Sequence, residues 1–391
     1  MIEINEILKK EKTPFYVFDL TKVEERIKYL REHLPTDVEL CYAVKANTFI
    51  SKKASELVDR LEICSPGEYR ICHQLNLPSK QFVISGVNKE RDFIEDVISK
   101  DLSIGYYTVE SKLQFELLIN AARQSNRQID ILLRLSSGNQ FGLDESDLEE
   151  IVQSYKNDPF VSIKGIQFFS GTQKNSLKKL QRELEYVDSF MEQLESKLQY
   201  RFQELEFGPG FPVMYFKEDS FDEDAFLLGF SDLLKSLRFK GKISLELGRS
   251  IAASCGTYFT SVVDIKQTRN EGYAIVDGGM HQLVYYGQFM AMKHPKLYLL
   301  PERSGEEMDW NICGSLCTSN DILVKKLPLP SLKIGDTLAF CNTGAYCMIE
   351  GISLFLSRDL PKVLLYDGTD YITARSRFDT YVLNTLEKIK K

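Results

Sequence analysis

The chain has 391 residues, of which 43% are hydrophobic and 27% are charged, and its formal net charge is −7. This composition is typical of a water-soluble globular protein, and the length allows one large domain with a smaller one. The negative charge argues against nucleic acid or an anionic membrane as a partner. The first twelve residues alternate charges and no apolar run approaches ~20 residues, so neither a signal peptide nor a membrane span is predicted.

The cysteine and histidine positions argue against a metal site. The eight cysteines stand at 41, 64, 72, 255, 313, 317, 341 and 347, and none of them forms a C-x-x-C pair. The four histidines are scattered along the chain. Because zinc sites use closely spaced ligands, no metal is expected. Free thiols are typical of a reducing compartment, which predicts a cytoplasmic protein.

From about residue 21 to 246, apolar strand-like runs alternate with amphipathic helical stretches. Val23, Ile27 and Leu30 share one face of the first predicted helix, which ends at Pro35. Strands are predicted at 38–44, 61–64, 82–85, 103–107, 131–135, 163–169, 204–207 and 243–246. Eight strands separated by helices indicate an α/β fold of the (β/α)8 barrel type, which we place at residues 15–250. A doubly wound sheet uses the same alternation, but no G-x-G-x-x-G follows the first strand.

After residue 250 the pattern changes to short β-like runs that are separated by turns. Strands are predicted at 258–265, 274–277, 337–341 and 362–366, and a final helix at 378–390. These runs predict a second, mostly β domain formed by residues 1–14 and 251–391.

Polar residues follow several of the predicted barrel strands. Lys45 follows the first strand, Arg134 ends the fifth and Glu246 ends the eighth. The catalytic groups of such barrels lie at the carboxyl ends of the strands, so these residues are expected to share one rim. Lys45 can extend its amine to solvent from an apolar run, or it can be a nucleophile that forms a Schiff base.

The loops after the seventh and eighth strands suggest an anion site beside Lys45. Gly208-Pro209-Gly210 can be a tight turn, or its backbone N–H groups can hold a phosphate together with Arg249. Glu246 can be a solvated strand end. Beside a Schiff-base lysine it can instead pair with the pyridine nitrogen of pyridoxal phosphate and keep that nitrogen protonated. A protonated ring accepts electrons well, which is what a decarboxylation requires.

Seven short motifs occur in the same order as in one enzyme family. They are YAVKAN (42–47), CSPGE (64–68), FGPGF (207–211), ELGR (246–249), DGGM (277–280), CTSND (317–321) and GAY (344–346). With these motifs the chain resembles the fold-type III pyridoxal-phosphate decarboxylases, such as diaminopimelate and ornithine decarboxylases, over nearly its whole length.

The resemblance implies an alanine-racemase-like barrel with a C-terminal β domain, paired head-to-tail in a homodimer with shared active sites. It implies pyridoxal 5'-phosphate as the cofactor. Lys45 would carry the cofactor aldehyde, and Cys317 of the partner subunit would return a proton to the α-carbon. The cofactor contacts implied are Lys45, Phe169, Gly208, Gly210, Glu246, Gly248, Arg249 and Tyr346. Cys317 can alternatively be a buried structural thiol, and Tyr346 an interface aromatic.

Two departures from the family pattern concern the substrate. Phe169 stands where diaminopimelate and ornithine decarboxylases stack a histidine on the cofactor. Thr318 stands where they place an acidic residue that binds the distal amino group of the substrate. The stretches QFGLDES (140–146), GTQ (171–173), DGGMH (277–281) and SLCT (315–318) resemble the subgroup of butirosin biosynthesis, which decarboxylates a glutamyl group on a carrier protein. Candidate substrate contacts are Arg134, His281, Thr318 and Asp321, although His281 can equally be a turn residue.

Three functions are therefore compared. The first is α-decarboxylation of an amino acid or a carrier-bound aminoacyl group, with diaminopimelate decarboxylation to L-lysine as the alternative substrate. The second is an alanine-racemase-like reaction, which typically places arginine at the pyridine nitrogen, so that Glu246 argues against it. The third is an inactive regulator, which is expected to lose Lys45, Cys317 or the phosphate loop, and all of these are present.

Overall fold

The computed structural model describes residues 4–101 and 103–386. The chain divides into two compact units. The barrel unit takes in Glu24–Val213 and Phe221–Ile251. The sheet unit takes in the described residues of 1–23, 214–220 and 252–391. No described helix is long and apolar enough to span a membrane.

The helices and strands are numbered here in chain order. The helices are α1 Ile4–Lys10, α2 Leu20–His33, α3 Ser51–Ser55, α4 Pro66–Gln74, α5 Arg91–Lys100, α6 Lys112–Gln124, α7 Glu145–Tyr155, α8 Leu177–Leu198, α9 Glu223–Ser236 and α10 Arg249–Ala252. The strands are β1 Phe15–Asp19, β2 Glu39–Ala43, β3 Arg60–Ile63, β4 Phe82–Ile84, β5 Tyr106–Val109, β6 Ile129–Arg134, β7 Val161–Phe169, β8 Glu204–Gly208, β9 Lys242–Leu247, β10 Gly256–Thr268, β11 Glu271–Val276, β12 Leu297–Leu300, β13 Glu307–Cys313, β14 Ile322–Pro330, β15 Thr337–Cys341, β16 Lys362–Tyr366 and β17 Tyr371–Arg375.

Strands β2 to β9 form a closed parallel barrel. Each strand pairs with the next, and β9 closes the ring against β2 with Cys41 opposite Glu246. The (β/α)8 barrel predicted from the alternation of strands and helices is thus confirmed. Because all eight strands are parallel, their carboxyl ends lie at one rim, as barrel enzymes require.

Four helices around the barrel, α4, α6, α8 and α9, begin at a serine or aspartate cap, and the barrel helices bury one apolar face. In α8 the buried positions include Leu180, Leu184 and Val187, which recur at helical spacing. The first turn of α4 resembles a capping box, in which the Ser65 hydroxyl accepts a hydrogen bond from the Glu68 N–H at 3.1 Å. The Glu68 carboxylate in turn accepts the Cys64 N–H at 2.7 Å, which fixes the chain where β3 ends.

The sheet unit contains a mixed sheet in the order β14-β13-β11-β10-β1-β16-β17, with β15 between β10 and β12. Strand β1 lies inside the range predicted for the barrel, but it pairs antiparallel with β10 and parallel with β16. The rings of Phe15 and Phe259 stack across the first pair at 4.8 Å.

Several elements of the sheet unit differ from the sequence-based expectation. Strands β1, β12, β13, β14 and β17 were not predicted. Where a helix was predicted at 378–390, the described residues form only a 3-10 turn at Thr380–Leu383. Residues 387–390 of that prediction lie outside the described residues. Short two-faced strands of mixed composition give a weaker periodic signal than buried barrel strands.

Candidate active site

Lys45 lies in a 3-10 turn, Val44–Ala46, directly after β2. Its side chain is only 37% exposed, and its Nζ donates hydrogen bonds to Glu62 Oε2 and, at 3.2 Å, to Glu246 Oε1. Cys64 Sγ lies 3.6 Å from the same Nζ. The amine is therefore held against two carboxyl groups and does not extend freely into solvent.

The closure of the barrel brings these three side chains together. Ala43 on β2 is paired with Glu62 on β3, and Cys41 on β2 is paired with Glu246 on β9. Lys45 lies two residues after the end of β2, the strand between β3 and β9. The Glu62 side chain is 4% exposed and that of Glu246 is 9% exposed, so the pair faces the barrel interior.

Burial and charge predict that the two carboxyl groups share one proton. Burial and the negative charge of Glu62 raise the pKa of Glu246 well above its ordinary value, although Lys45 opposes the shift. Burial opposes ionisation of Glu62 as well, but Lys45 and a hydrogen bond from Glu246 hold the Glu62 pKa below its ordinary value. Two adjacent carboxyl groups cannot both ionise easily in a buried site. At neutral pH, Glu246 is therefore expected to hold the proton and to donate a hydrogen bond to ionised Glu62.

Further charged side chains fill the barrel interior around this pair. Arg60 Nη1 lies 2.8 Å from Glu204 Oε2, and its guanidinium lies 4.2 Å from the centre of the Tyr106 ring. Glu206 is fully buried and accepts a hydrogen bond from Gln167 Nε2 at 2.7 Å. Burial raises the pKa of Glu206 to about 7. These groups surround the shared proton with a polar, water-poor environment.

The sequence analysis did not assign a role to Glu62, Glu206 or Arg60. The available signal was charge at alternate positions of two otherwise apolar strands, Arg60 with Glu62 on β3 and Glu204 with Glu206 on β8. Residues two apart point to the same face of a strand. Such a pair in a buried strand indicates a polar interior, but only the closed barrel shows which groups meet.

The ends of β7 and β8 approach so closely that glycine is required. A Cβ on Gly208 would lie 2.3 Å from Phe169 Cδ2. Gly210 has φ +59°, and a Cβ there would lie 2.1 Å from the Gly171 carbonyl oxygen. The loop 208–210 thus packs on the loop 170–174, and Phe169 packs on Gly208. These contacts explain why the sequence has glycine at both positions.

Arg249 comes from the turn that follows β9. It is buried, and its Nε donates to Thr172 Oγ1 at 3.4 Å, so the loops after β7 and β9 are linked. Gly248 precedes it directly after β9. The barrel rim therefore brings together Lys45, Glu246, Phe169, Gly208, Gly210, Gly248 and Arg249 on the neighbouring strands β2, β9, β8 and β7.

Arg134 ends β6 at the same rim, where it is engaged by neighbouring side chains. Its Nη1 donates to Glu110 Oε2 at 3.0 Å, and its guanidinium lies 4.8 Å from the centre of the Phe141 ring. A substrate contact at Arg134 would therefore compete with or extend this ion pair.

Cys317, Thr318 and Asp321 lie in the turn between β13 and β14 of the sheet unit. Cys317 is exposed, so the alternative of a buried structural thiol does not hold. Asp321 is buried, and its two carboxylate oxygens accept the N–H groups of Met280 at 2.7 Å and Leu316 at 2.8 Å. These bonds hold the turn in place, and a substrate contact at Asp321 stays a prediction.

His281 and Tyr346 also belong to the sheet unit. His281 is buried, and burial together with the charge of Arg358 lowers its pKa to about 4, so its imidazole is neutral at pH 7. Tyr346 is half-buried and has φ +64°, a conformation that L-residues seldom adopt. Strained residues of this kind often occur at functional sites.

Comparison with known proteins identifies the family of this chain. The family model described as pyridoxal-dependent decarboxylase, C-terminal sheet domain, matches residues 15–344. The chain is 26% identical to the L-glutamyl-[BtrI acyl-carrier protein] decarboxylase of Niallia circulans, with 96% of this chain and 94% of that protein covered. It is also 26% identical to the diaminopimelate decarboxylase of Aquifex aeolicus, with 99% and 94% covered.

A solved structure shows the same fold. The crystal structure of diaminopimelate decarboxylase from Helicobacter pylori complexed with L-lysine superposes with a TM-score of 0.86 at 24% identity, covering 97% of this chain and 98% of that one. The family match spans most of the chain, and the barrel places Lys45 against two buried carboxyl groups at its rim. This chain belongs to the family of pyridoxal-dependent amino-acid decarboxylases.

Proposed function

We propose that this protein removes the α-carboxyl group of an amino acid or aminoacyl substrate, with Lys45 holding pyridoxal 5'-phosphate. The observation that carries the proposal is the contact of the Lys45 amine with Glu62 and Glu246 at the carboxyl ends of adjacent barrel strands.

The residues of the rim fit this cofactor. Lys45 offers an amine for the aldehyde, and Glu246 offers a buried carboxyl group for the ring nitrogen. The tight packing around Gly208 and Gly210 leaves backbone without side chains beside Arg249, as a phosphate requires. Phe169 ends β7 next to this cradle and supplies an apolar face for the ring. The proposed site also includes Gly248, Tyr346 and Cys317, because they belong to the sequence motifs that resemble the family.

Each protein group has a defined task in the proposed reaction. The bound cofactor supplies an electron sink for the pair left on the α-carbon when the bond to the carboxylate breaks and CO2 departs. Glu246 keeps a proton on its carboxyl oxygen, where the ring nitrogen can share it. Glu62 stays ionised and orients the Lys45 amine by a charge-assisted hydrogen bond. Cys317 of the partner subunit returns a proton to the α-carbon.

The labelling experiment asks which lysine holds the cofactor. Purified protein is incubated with pyridoxal phosphate, reduced with borohydride and mapped by peptide mass. We expect the label on Lys45 and its loss in Lys45→Ala. Lys89 and Lys174 serve as internal controls because both are buried lysines of the barrel unit. A label on either of them, or no label at all, would refute the proposed role of Lys45.

The substrate is proposed to be a carrier-bound aminoacyl group, with free diaminopimelate as the alternative. The carrier-linked relative and a diaminopimelate decarboxylase share the same 26% identity with the chain, so overall similarity does not choose between them. Thr318 favours the first class because it lacks the negative charge that would bind a distal ammonium group. Release of CO2 from free diaminopimelate but not from a glutamyl-carrier protein would overturn this choice.

A homodimer is proposed because the sheet unit exposes an extended apolar surface. The segments 349–357 and 378–386 lie together through the Leu360–Phe378 bridge and a 3.0 Å bond from Asn384 to the Leu354 carbonyl. Their exposed side chains include Ile349, Ile352, Leu354, Phe355, Leu356, Tyr381, Val382, Leu383 and Leu386. A surface of this kind typically contacts another chain. Leu383→Glu should yield monomers in sedimentation velocity. Leu113→Glu, at an exposed leucine of α6 in the barrel unit, is the control and should leave the dimer intact. A wild-type protein that sediments as a monomer would contradict the proposed dimer.

A further inference from the structure

Lys174 is a buried lysine for which the sequence pattern indicated no role. It stands in the loop between β7 and α8, and its side chain is only 2% exposed. Its Nζ donates to Ser170 Oγ at 3.0 Å and to Glu183 Oε2 at 2.7 Å. Lysines are rarely buried to this degree unless their charge is paired, and the α8 carboxylate of Glu183 provides that pair.

The same residue binds the carbonyl oxygens of both glycines in the loop 208–210. Lys174 Nζ donates to the Gly208 oxygen at 3.3 Å, and the Lys174 backbone N–H donates to the Gly210 oxygen at 2.9 Å. In a planar trans peptide the C=O and the following N–H point in opposite directions. The N–H of Phe211 therefore points away from Lys174.

This arrangement decides which polar atoms the loop offers to an anion. A carbonyl oxygen repels a phosphate, and a backbone N–H attracts it. Pro209 has no N–H, so the Gly208 bond only keeps that carbonyl oxygen on the Lys174 side, whereas the Gly210 bond also directs the Phe211 N–H to the opposite side. The Ser170 hydroxyl, bonded to both Lys174 and Glu183, is held on the Lys174 side as well.

Lys174 also lies against the aromatic residues at the ends of the two strands. Its Nζ is 5.9 Å from the centre of the Phe169 ring and 5.6 Å from that of Phe207, within the range of cation–π attraction. One ammonium group thus supports the glycine loop and the ring that the proposed cofactor would stack on.

We infer that Lys174 is a positioning residue for the phosphate end of the cofactor, holding the loops 170–174 and 208–210 in their anion-binding arrangement. The inference rests on the proposed binding of pyridoxal phosphate at this rim. Lys174 acts through the loop and contacts none of the reacting atoms.

The test compares pyridoxal phosphate with pyridoxal, which has the same ring and aldehyde but no phosphate. Both are titrated into cofactor-free protein and followed by absorbance and by quenching of protein fluorescence. Lys174→Met is expected to weaken the binding of pyridoxal phosphate by about 10- to 100-fold. This is the usual effect on affinity of losing hydrogen bonds made by a charged group. Its affinity for pyridoxal is expected to stay within about twofold of wild type.

The matched control is Lys178→Met, an exposed lysine four residues along the same segment, which should change neither affinity. Lys174→Met leaves Glu183 partly buried without its cation, so Lys174→Met with Glu183→Gln is the second variant if the single one does not fold. An equal loss of affinity for pyridoxal phosphate and pyridoxal, or no loss of affinity for either, overturns the inference.

The outcomes separate this inference from the proposed function. Wild type that binds neither ligand, or is labelled at a lysine other than Lys45, contradicts the proposed function itself. Wild type that prefers pyridoxal phosphate, together with a Lys174→Met variant that keeps the same preference, contradicts only the role of Lys174.

Discussion

Replacing Glu246 with glutamine tests whether the barrel rim holds a proton in the cofactor-free protein. Glutamine keeps the size of the side chain, and its amide can still donate the hydrogen bond that protonated Glu246 gives to Glu62. The substitution removes only the ability to titrate. Any difference between wild type and Glu246→Gln that depends on pH therefore reports on this carboxyl group.

The magnitude follows from the shifted pKa. Burial and the charge of Glu62 raise the Glu246 pKa from 4.5 to about 8. The folded protein then binds this proton more tightly than the unfolded chain, so the free energy of unfolding falls as pH rises through this interval. At about 1.4 kcal/mol per pH unit, the loss reaches at most about 5 kcal/mol at pH 8 and stays constant above it.

The assay is urea unfolding of the cofactor-free protein at half-unit steps from pH 5 to 8.5. Fluorescence and circular dichroism should report the same transition before a free energy is taken from it. Relative to wild type, Glu246→Gln should gain stability steadily up to about pH 8 and then level off. Glu116→Gln, an exposed carboxyl on α6, is the control and should follow the wild-type curve.

A constant difference between wild type and Glu246→Gln over this range would refute the shared proton. So would a gain that appears as pH falls, because that sign belongs to a carboxyl whose pKa is lowered by folding. Either result would remove the protonated carboxyl group from the cofactor-free site.

Two further substitutions test the packing of the rim and of the barrel interior. Gly210→Ala should lower the free energy of unfolding by about 1–2 kcal/mol because of the positive φ of this residue. The 2.1 Å approach to the Gly171 oxygen should lower it further, and the change in urea midpoint measures the loss. Gly138→Ala, at φ +86° with open space, is the matched control, and equal losses would contradict the close packing of the two loops. Arg60→Met leaves buried carboxylates without their cation and should cost about 3–5 kcal/mol at pH 7. Exposed Arg91→Met should change stability by under about 0.5 kcal/mol, and a similarly small effect at Arg60 would contradict the buried ion pair.

The sequence alone was sufficient for the barrel and for part of its rim. The alternation of buried strands with amphipathic helices is a local pattern, because each element shows its own period. Lys45 and Glu246 were recognisable because each interrupts or ends an apolar run. The glycines at 208 and 210 were visible as a loop, although the contacts that require them come from the neighbouring loop after β7.

The sequence could not show which of these residues meet. Glu62 lies in a four-residue strand that gives no sign of its partner, and only the register of β2 with β3 and β9 puts it beside Lys45 and Glu246. Lys174 is one lysine in a lysine-rich segment until the fold buries it under the glycine loop.

Strand β1 shows the same limit for the fold. Its residues Phe15–Asp19 precede a barrel helix in the chain, yet they pair with strands that begin at Gly256 and Lys362. Periodicity is carried by neighbouring residues and can be read from the chain. Strand partners and buried charge pairs depend on residues far apart in sequence, so only the folded arrangement of the whole chain determines them.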